Sequence, residues 1–317
     1  MELEALEQDM PVEELAEQQD EKVKDVLDRM EMDFTFWGNT DSDYNRKQTH
    51  DMFEELYVNG YITEKEQNLP YCNNDERFLP DRYIEGECPH CGGLARGDQC
   101  DECGKLVEPE EIIEPECQIC GGSDIEFRDT THLFLDLSQF QEDLKGWVGN
   151  ADFHPGPGSI IQESENAIRG TGKRCITRGC HRGFQIPGGR VNDRIEEQGL
   201  EVEKIDAERY EDKVLYVWFD APIGYIGFTR DYFANQGNEE EWKKYWGDSE
   251  TYYSIGKDNT IFHTVIWPSM LKGASNEDIE YEMPHYEFIQ QFLMAEDTQF
   301  SKSRGTGLST SEALDMY

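Results

Sequence analysis

Cysteine falls in closely spaced pairs in this chain. Cys88-x2-Cys91 is followed after eight residues by Cys100-x2-Cys103, and each pair is trailed by glycine, in "CPHCGG" and "CDECGK". A CxxC turn places two thiolates on one side of a tight bend, and two such turns complete a tetrahedral zinc site. A third pair, Cys117-x2-Cys120, lies beyond them, while Cys72 and Asp75 lie before them. An interleaved fold brings Cys72, Asp75, Cys117 and Cys120 together as a second site; the alternative is a loose turn with free thiols. Cys175 and Cys180 have no evident partner and read as core or loop residues.

Aromatic residues make the second constellation. "YVWFDAPIGYI", Tyr216 to Ile226, reads as a buried strand that breaks at Asp220-Ala221-Pro222, and ligands bind at such strand ends in open α/β sheets. "SIGKD", Ser254 to Asp258, reads as a second strand end, followed by a helix carrying Phe262, His263 and Trp267. His263 and Trp267, four apart, share a helical face. Together with Trp218, Ala221, Pro222 and Tyr225 they suit a flexible, polarizable, uncharged group such as a thioether. Any one of these aromatics alone reads as core packing.

The third constellation is "TQFSKSRGTG", Thr298 to Gly307, where Lys302 and Arg304 stand among serines and glycines. A loop of that make-up suits an anion with many oxygens; the alternative is a flexible basic turn.

The elements that must position these residues follow from periodicity. The first thirty residues read as one or two amphipathic helices, and a helix is expected from about Asn45 to Val58, closed by Gly60. From Tyr71 to about Arg128 the chain is rich in Cys, Gly, Pro and turn residues and reads as a small insert held by metal. Beyond it, short apolar or aromatic runs such as "HLFLDL" alternate with helical stretches, which is the α/β pattern. Acidic residues number 68 against 29 Lys and Arg, a net charge of -39 spread along the 317 residues. Taken alone, that charge argues against nucleic acid as a partner and for a strongly hydrated surface adapted to high salt. With no apolar run near ~18 residues and no signal-peptide pattern, a cytoplasmic protein is expected.

In order along nearly the whole chain, "FLPDRY" leading into the CPHC and CDEC knuckles, "VWFDAPIGYI", "SIGKDNTIFHTVIWPSML" and "FSKSRG" resemble class I methionyl-tRNA synthetases of the archaeal type. The resemblance implies a Rossmann-type parallel sheet with an inserted zinc-knuckle connective peptide: 1–62 helical part of the first half of the nucleotide fold, 63–128 the insert, 129–295 the second half, 296–317 the signature phosphate loop and the start of a stem-contact region. It implies methionine activation with ATP and Mg2+, then transfer to tRNA(Met). Trp218, Ala221, Pro222, Tyr225, Asp258, Phe262, His263 and Trp267 match the methionine site, and Gly256 and Lys257 the ATP-proximal strand end. Lys302, flanked by Ser301 and Ser303, matches the lysine that stabilises pyrophosphate, and Arg178 an arginine near the active centre.

Departures from the family pattern shape the expectation. None of the seven histidines forms the family's His-x-Gly-His turn, so the resemblance implies an interior piece whose first strand, helix and second strand are missing, or are supplied by a separate chain. Activity then depends on that piece. The alternative is a non-catalytic zinc-knuckle module that binds tRNA. Gln299 replaces the first lysine of the signature loop, and Gly179 stands where the family has an aspartate after Arg178.

Overall fold

The computed structural model describes residues 2–80, 83–97, 99–100, 107, 109–154, 157–180, 182–291, 293–295, 298–299 and 307–316. Helices α1 (Glu2–Glu7), α2 (Val12–Arg29) and α3 (Asp43–Val58) come first. The α3 start is set by Ser42, whose hydroxyl accepts from the Asn45 N–H, and its end by Gly60, left-handed at φ 78°. Both ends lie within two residues of the helix expected from sequence.

Strand β1 (Ile62–Cys72) pairs antiparallel with the long strand β7 (Ile125–Asp136) over eleven residue pairs, from Ile62↔Leu135 to Cys72↔Ile125. This ribbon runs from the main body into the insert. At its far end sit β2 (Arg77–Phe78) and a second antiparallel sheet in the order β5-β4-β3-β6, with β3 Ile84–Glu87, β4 Leu94–Arg96, β5 Gln99–Cys100 and β6 Ile113–Cys117. Among the described residues the insert's core is Cys72, Leu79, Ile84, Cys88, Ala95, Cys100, Val107, Ile112 and Cys117. Four of these nine side chains are thiols, which is too little hydrocarbon to hold a sheet without further help.

The main body follows: α4 (Gln141–Val148), β8 (Asp152–His154), α5 (Pro157–Arg169), β9 (Lys173–Cys175), β10 (Thr177–Arg178), α6 (Gly188–Gln198), β11 (Val214–Leu215), α7 (Val217–Asn235) and α8 (Trp242–Gly247). Next come β12 (Tyr252–Gly256), α9 (Trp267–Ala274) and β13 (Tyr286–Gln290), then the short β14 (Met294–Ala295) and β15 (Thr298–Gln299) and helix α10 (Thr310–Met316). Strands β12, β13 and β8 form a parallel sheet in that order. The apolar core lies between this sheet and α3, α7 and α9, with Phe53, Phe140, Phe219 and Trp267 essentially inaccessible to solvent.

Two sequence expectations are corrected. The "YVWFDAP" strand does not run to Asp220: β11 ends at Leu215, Tyr216 is extended (φ -74°, ψ 137°), and the helix begins at Val217. Phe219 N–H already bonds the Tyr216 carbonyl at 2.7 Å, and Pro222 sits inside the helix instead of breaking a strand. The apolar run is helical because its core-facing residues Phe219, Ile223 and Ile226 recur at three- and four-residue spacing. Second, the helix after "SIGKD" opens as a π-turn, Phe262–Ile266, before α9, so its first turn is wider than the α-helix expected.

Helices α3 and α7 touch at backbone distance. A Cβ on Gly227 would lie 2.8 Å from the Asn45 Cα and 2.6 Å from its Oδ1, so only glycine admits the crossing.

Candidate functional site

The two knuckles whose turns are described, Cys88–Cys91 and Cys117–Cys120, are built alike. In each of these two, the residue after the second cysteine is left-handed glycine, Gly92 at φ 74° and Gly121 at φ 67°. Its N–H bonds the first cysteine's carbonyl, at 2.9 Å for Gly92 to Cys88 and 2.8 Å for Gly121 to Cys117. The backbone N–H two residues past each first cysteine points at its sulfur, His90 to Cys88 Sγ and Ile119 to Cys117 Sγ, both at 3.4 Å. That trailing glycine is why the spacing was legible in the sequence: no other residue adopts this turn cheaply.

Two groups of metal-ligand residues result, Cys88–Cys91–Cys100 and Cys72–Asp75–Cys117–Cys120, with donor atoms within 4.8 Å of one another in each. Cys103, the fourth ligand expected at the first group, lies outside the described residues. Zinc–sulfur bonds of ~2.3 Å in a tetrahedron place sulfurs roughly 3.7 Å apart. Cys91 Sγ to Cys100 Sγ and Cys72 Sγ to Cys120 Sγ are each 3.6 Å, so both groups fit a zinc ion. In the second group the Cys117 thiol donates to Asp75 Oδ2 at 3.0 Å, and this bond holds the carboxyl below the usual aspartate range. In the second group protein ligands would fill all four positions, so an ion there would be structural.

The aromatic constellation assembles from four elements. Trp218, Ala221, Pro222 and Tyr225 lie on the first half of α7, where Trp218 and Tyr225 are 40% and 39% exposed and Pro222 is buried. His263 comes from the π-turn, Trp267 from α9, and β12 contributes Tyr253. Ring centroids separate Tyr225 from Tyr253 by 5.4 Å, from His263 by 5.9 Å and from Trp267 by 6.1 Å. Trp218 stacks on Phe262 instead, at 4.4 Å.

Hydrogen bonds fix the tautomer. His263 Nδ1 faces the Asn259 carbonyl at 3.1 Å and must donate to it, so Nε2 accepts the Tyr225 hydroxyl at 3.0 Å. Burial pushes the His263 pKa down, which keeps the ring neutral and the pair intact. The Trp267 indole N–H donates to the Tyr253 hydroxyl at 2.9 Å. Sequence reasoning missed Tyr253, whose only mark was its place in "YY": strand alternation turns Tyr253 inward and leaves Tyr252 68% exposed.

Gly256, Lys257 and Asp258 occupy the C-terminal end of the parallel strand β12 and the turn after it. A side chain at Gly256 would lie 2.7 Å from Asp258 Oδ1, so the glycine makes room for that carboxylate. Lys257 and Asp258 are exposed there. Arg178 lies with its guanidinium carbon 3.9 Å over the Tyr216 ring, just ahead of α7, and donates to the Thr177 carbonyl. A Cβ on Gly179, in the position of the family's aspartate, would lie 3.5 Å from the Phe78 side chain, in ordinary van der Waals contact. Ser301, Lys302 and Ser303 lie outside the described residues.

Two carboxyls with raised pKa values, one part-buried and one fully buried, escaped the sequence reading. Asp220 in the first turn of α7 has Oδ1 without a partner, and burial raises its pKa to about 7. Glu287 on β13 is 1% exposed with neither oxygen bonded, and burial raises it to about 8. It stands beside Tyr253 in the sheet register. No spacing rule flags a single glutamate in a strand.

A parallel sheet with ligand-type residues at its strand ends, an aromatic cluster beside it and a cysteine-knuckle insert together define a class I synthetase nucleotide fold. All 317 residues match the model of the family described as tRNA synthetases class I (M), and the chain belongs to that family. Its relatives include the methionine–tRNA ligases of Pyrococcus furiosus, 34% identical over 96% of this chain, and Thermofilum pendens, 37% identical over all of it. The chain spans 41% and 52% of those two proteins. In fold it is similar to the Mycobacterium tuberculosis methionyl-tRNA synthetase bound by methionyl-adenylate, with a TM-score of 0.63 at 20% identity, covering 95% of this chain and 48% of that one. Among the described residues no helix is long and apolar enough to cross a membrane.

Proposed function

We propose that this chain carries the amino-acid pocket and zinc-knuckle insert of a methionine–tRNA ligase, which joins methionine to ATP as methionyl-adenylate and passes it to the 3' end of tRNA(Met). The observation that carries this reading is the Tyr225–His263 pair set against Tyr253 and Trp267. A hydroxyl with its proton committed to a neutral imidazole keeps its oxygen lone pairs, in an aromatic surround that suits a thioether and does not favour a charged side chain. Trp218 and Phe262 form one wall of this pocket, Ala221 and Pro222 its floor, and Gly256, Lys257 and Asp258 sit where ATP approaches the sheet. Lys302, with Ser301 and Ser303, meets the triphosphate together with Mg2+, and Arg178 steadies the start of α7.

Two zinc ions complete the insert, one on Cys88, Cys91, Cys100 and Cys103, the other on Cys72, Asp75, Cys117 and Cys120. They brace the surface over which the tRNA acceptor end is placed. The test is methionine-dependent ATP–pyrophosphate exchange, with methionine binding by equilibrium dialysis, at high salt. Methionine binding that leucine and valine do not match supports the reading. Equal binding of all three, or of none, overturns it.

A further inference from the structure

The segment Arg174-Cys175-Ile176-Thr177-Arg178 offers two guanidinium groups to two aromatics. Arg178 lies over Tyr216, while the Arg174 guanidinium carbon lies 4.8 Å from the centre of the Phe262 ring. Phe262 in turn stacks on Trp218, with planes 31° apart. Three elements meet in this stack: β9, the π-turn and the first turn of α7. The core does not enclose it, since Trp218 is 40% exposed and Phe262 is only partly buried. Arg174 is anchored from behind, because its backbone pairs with Leu135 of β7, the strand that runs out into the cysteine insert.

We propose that Arg174 is a positioning residue whose guanidinium holds the Phe262 ring on Trp218 and thereby fixes one wall of the aromatic pocket. A planar, weakly hydrated cation stacks on an aromatic face and still meets water at its edge, which an ammonium does less well. The alignment of that wall sets amino-acid affinity, a step that rests on the methionine reading above; the stack itself does not.

The test compares the wild-type chain with Arg174→Met, which keeps length without the planar cation, and Arg174→Lys, which keeps the charge. The chain has six tryptophans, so each protein is paired with its Trp218→Phe counterpart, and the difference in acrylamide quenching isolates Trp218. Far-UV circular dichroism verifies that each variant is folded. Arg174→Met is expected to raise Trp218 quenching about 2-fold and weaken methionine binding about 2- to 5-fold, the scale of an exposed cation–π contact, with Arg174→Lys restoring only part of each. Unchanged Trp218 quenching in Arg174→Met overturns the proposal whether or not methionine binds. Raised quenching with unchanged methionine affinity also overturns it. Raised quenching in a chain that binds no methionine even as wild type leaves Arg174 in its positioning role and sinks the methionine reading instead.

Discussion

The insert beyond Cys72 and the α/β body around β12 and β13 bury side chains equally well, but with different material. In the insert the innermost groups include the thiols of Cys72, Cys88, Cys100 and Cys117; in the body they are Phe53, Phe140, Phe219 and Trp267. Large rings each remove about 150–250 Å² from water, and apolar burial stabilises by roughly 25 cal/mol per Å². A cysteine contributes a fraction of that. On the zinc reading proposed above, metal bonds supply the insert with what the body obtains from apolar area, and the two should respond differently to the same perturbation.

The largest effect expected is metal removal. Structural zinc binding is worth on the order of 10 kcal/mol in small domains. Chelation should release the amides of β3, β4 and β6 to fast hydrogen exchange while β12 and β13 stay protected. Simultaneous loss of protection in both would show that the body needs the insert and erase the distinction.

Next comes titration of two buried groups whose shifts differ in sign, Glu287 in the sheet and His132 where β7 leaves the body. Glu287 in the body has its folded pKa raised from 4.5 to about 8, so the folded state holds a proton that the unfolded state releases. Its contribution is present below about pH 4.5 and is lost as pH rises toward 8. His132, at the root of the insert on β7, has its folded pKa lowered from 6.5 to about 4 by burial and by Lys213 and Arg178. Its contribution is present above about pH 6.5 and is lost as pH falls toward 4. Glu287→Gln should flatten the alkaline arm of the stability curve by up to about 4 kcal/mol at about pH 8, read by denaturant unfolding. An unaltered slope would mean that the carboxyl finds a charged partner.

A smaller loss is expected at the crossing of α3 and α7. Gly227→Ala forces a methyl against the Asn45 backbone and should cost about 1–3 kcal/mol. The unfolding midpoint of the body should fall while the insert keeps its exchange pattern. Equal loosening of both regions would tie them into one cooperative unit.

The smallest effect concerns salt. Arg194 bonds both Glu55 oxygens, at 2.7 and 3.0 Å, and Glu54 at 3.0 Å, linking α6 to α3. Arg194→Lys loses the two-pronged geometry and should cost about 1 kcal/mol, nearly the same at low and high salt because the cluster is partly buried. A cost that vanishes at molar salt would place the pair among ordinary surface contacts.

The residue order alone determined the knuckles, because a CxxC turn needs glycine after its second cysteine and Gly92 and Gly121 stand there. It also determined α3 to within two residues, closed by Gly60, and it singled out Tyr225, His263 and Trp267, whose rings the fold brings within about 6 Å. What it misjudged was the start of α7. "YVWFDAP" is rich in strand-forming residues, and only packing of Phe219, Ile223 and Ile226 against α3 and the sheet makes the helix the better solution. The proton direction between Tyr225 and His263, the inward turn of Tyr253, the unpartnered Glu287 and the stacking of Arg174 on Phe262 were likewise decided by tertiary structure. Each depends on groups far apart in the chain, whose distances and burial no local pattern encodes.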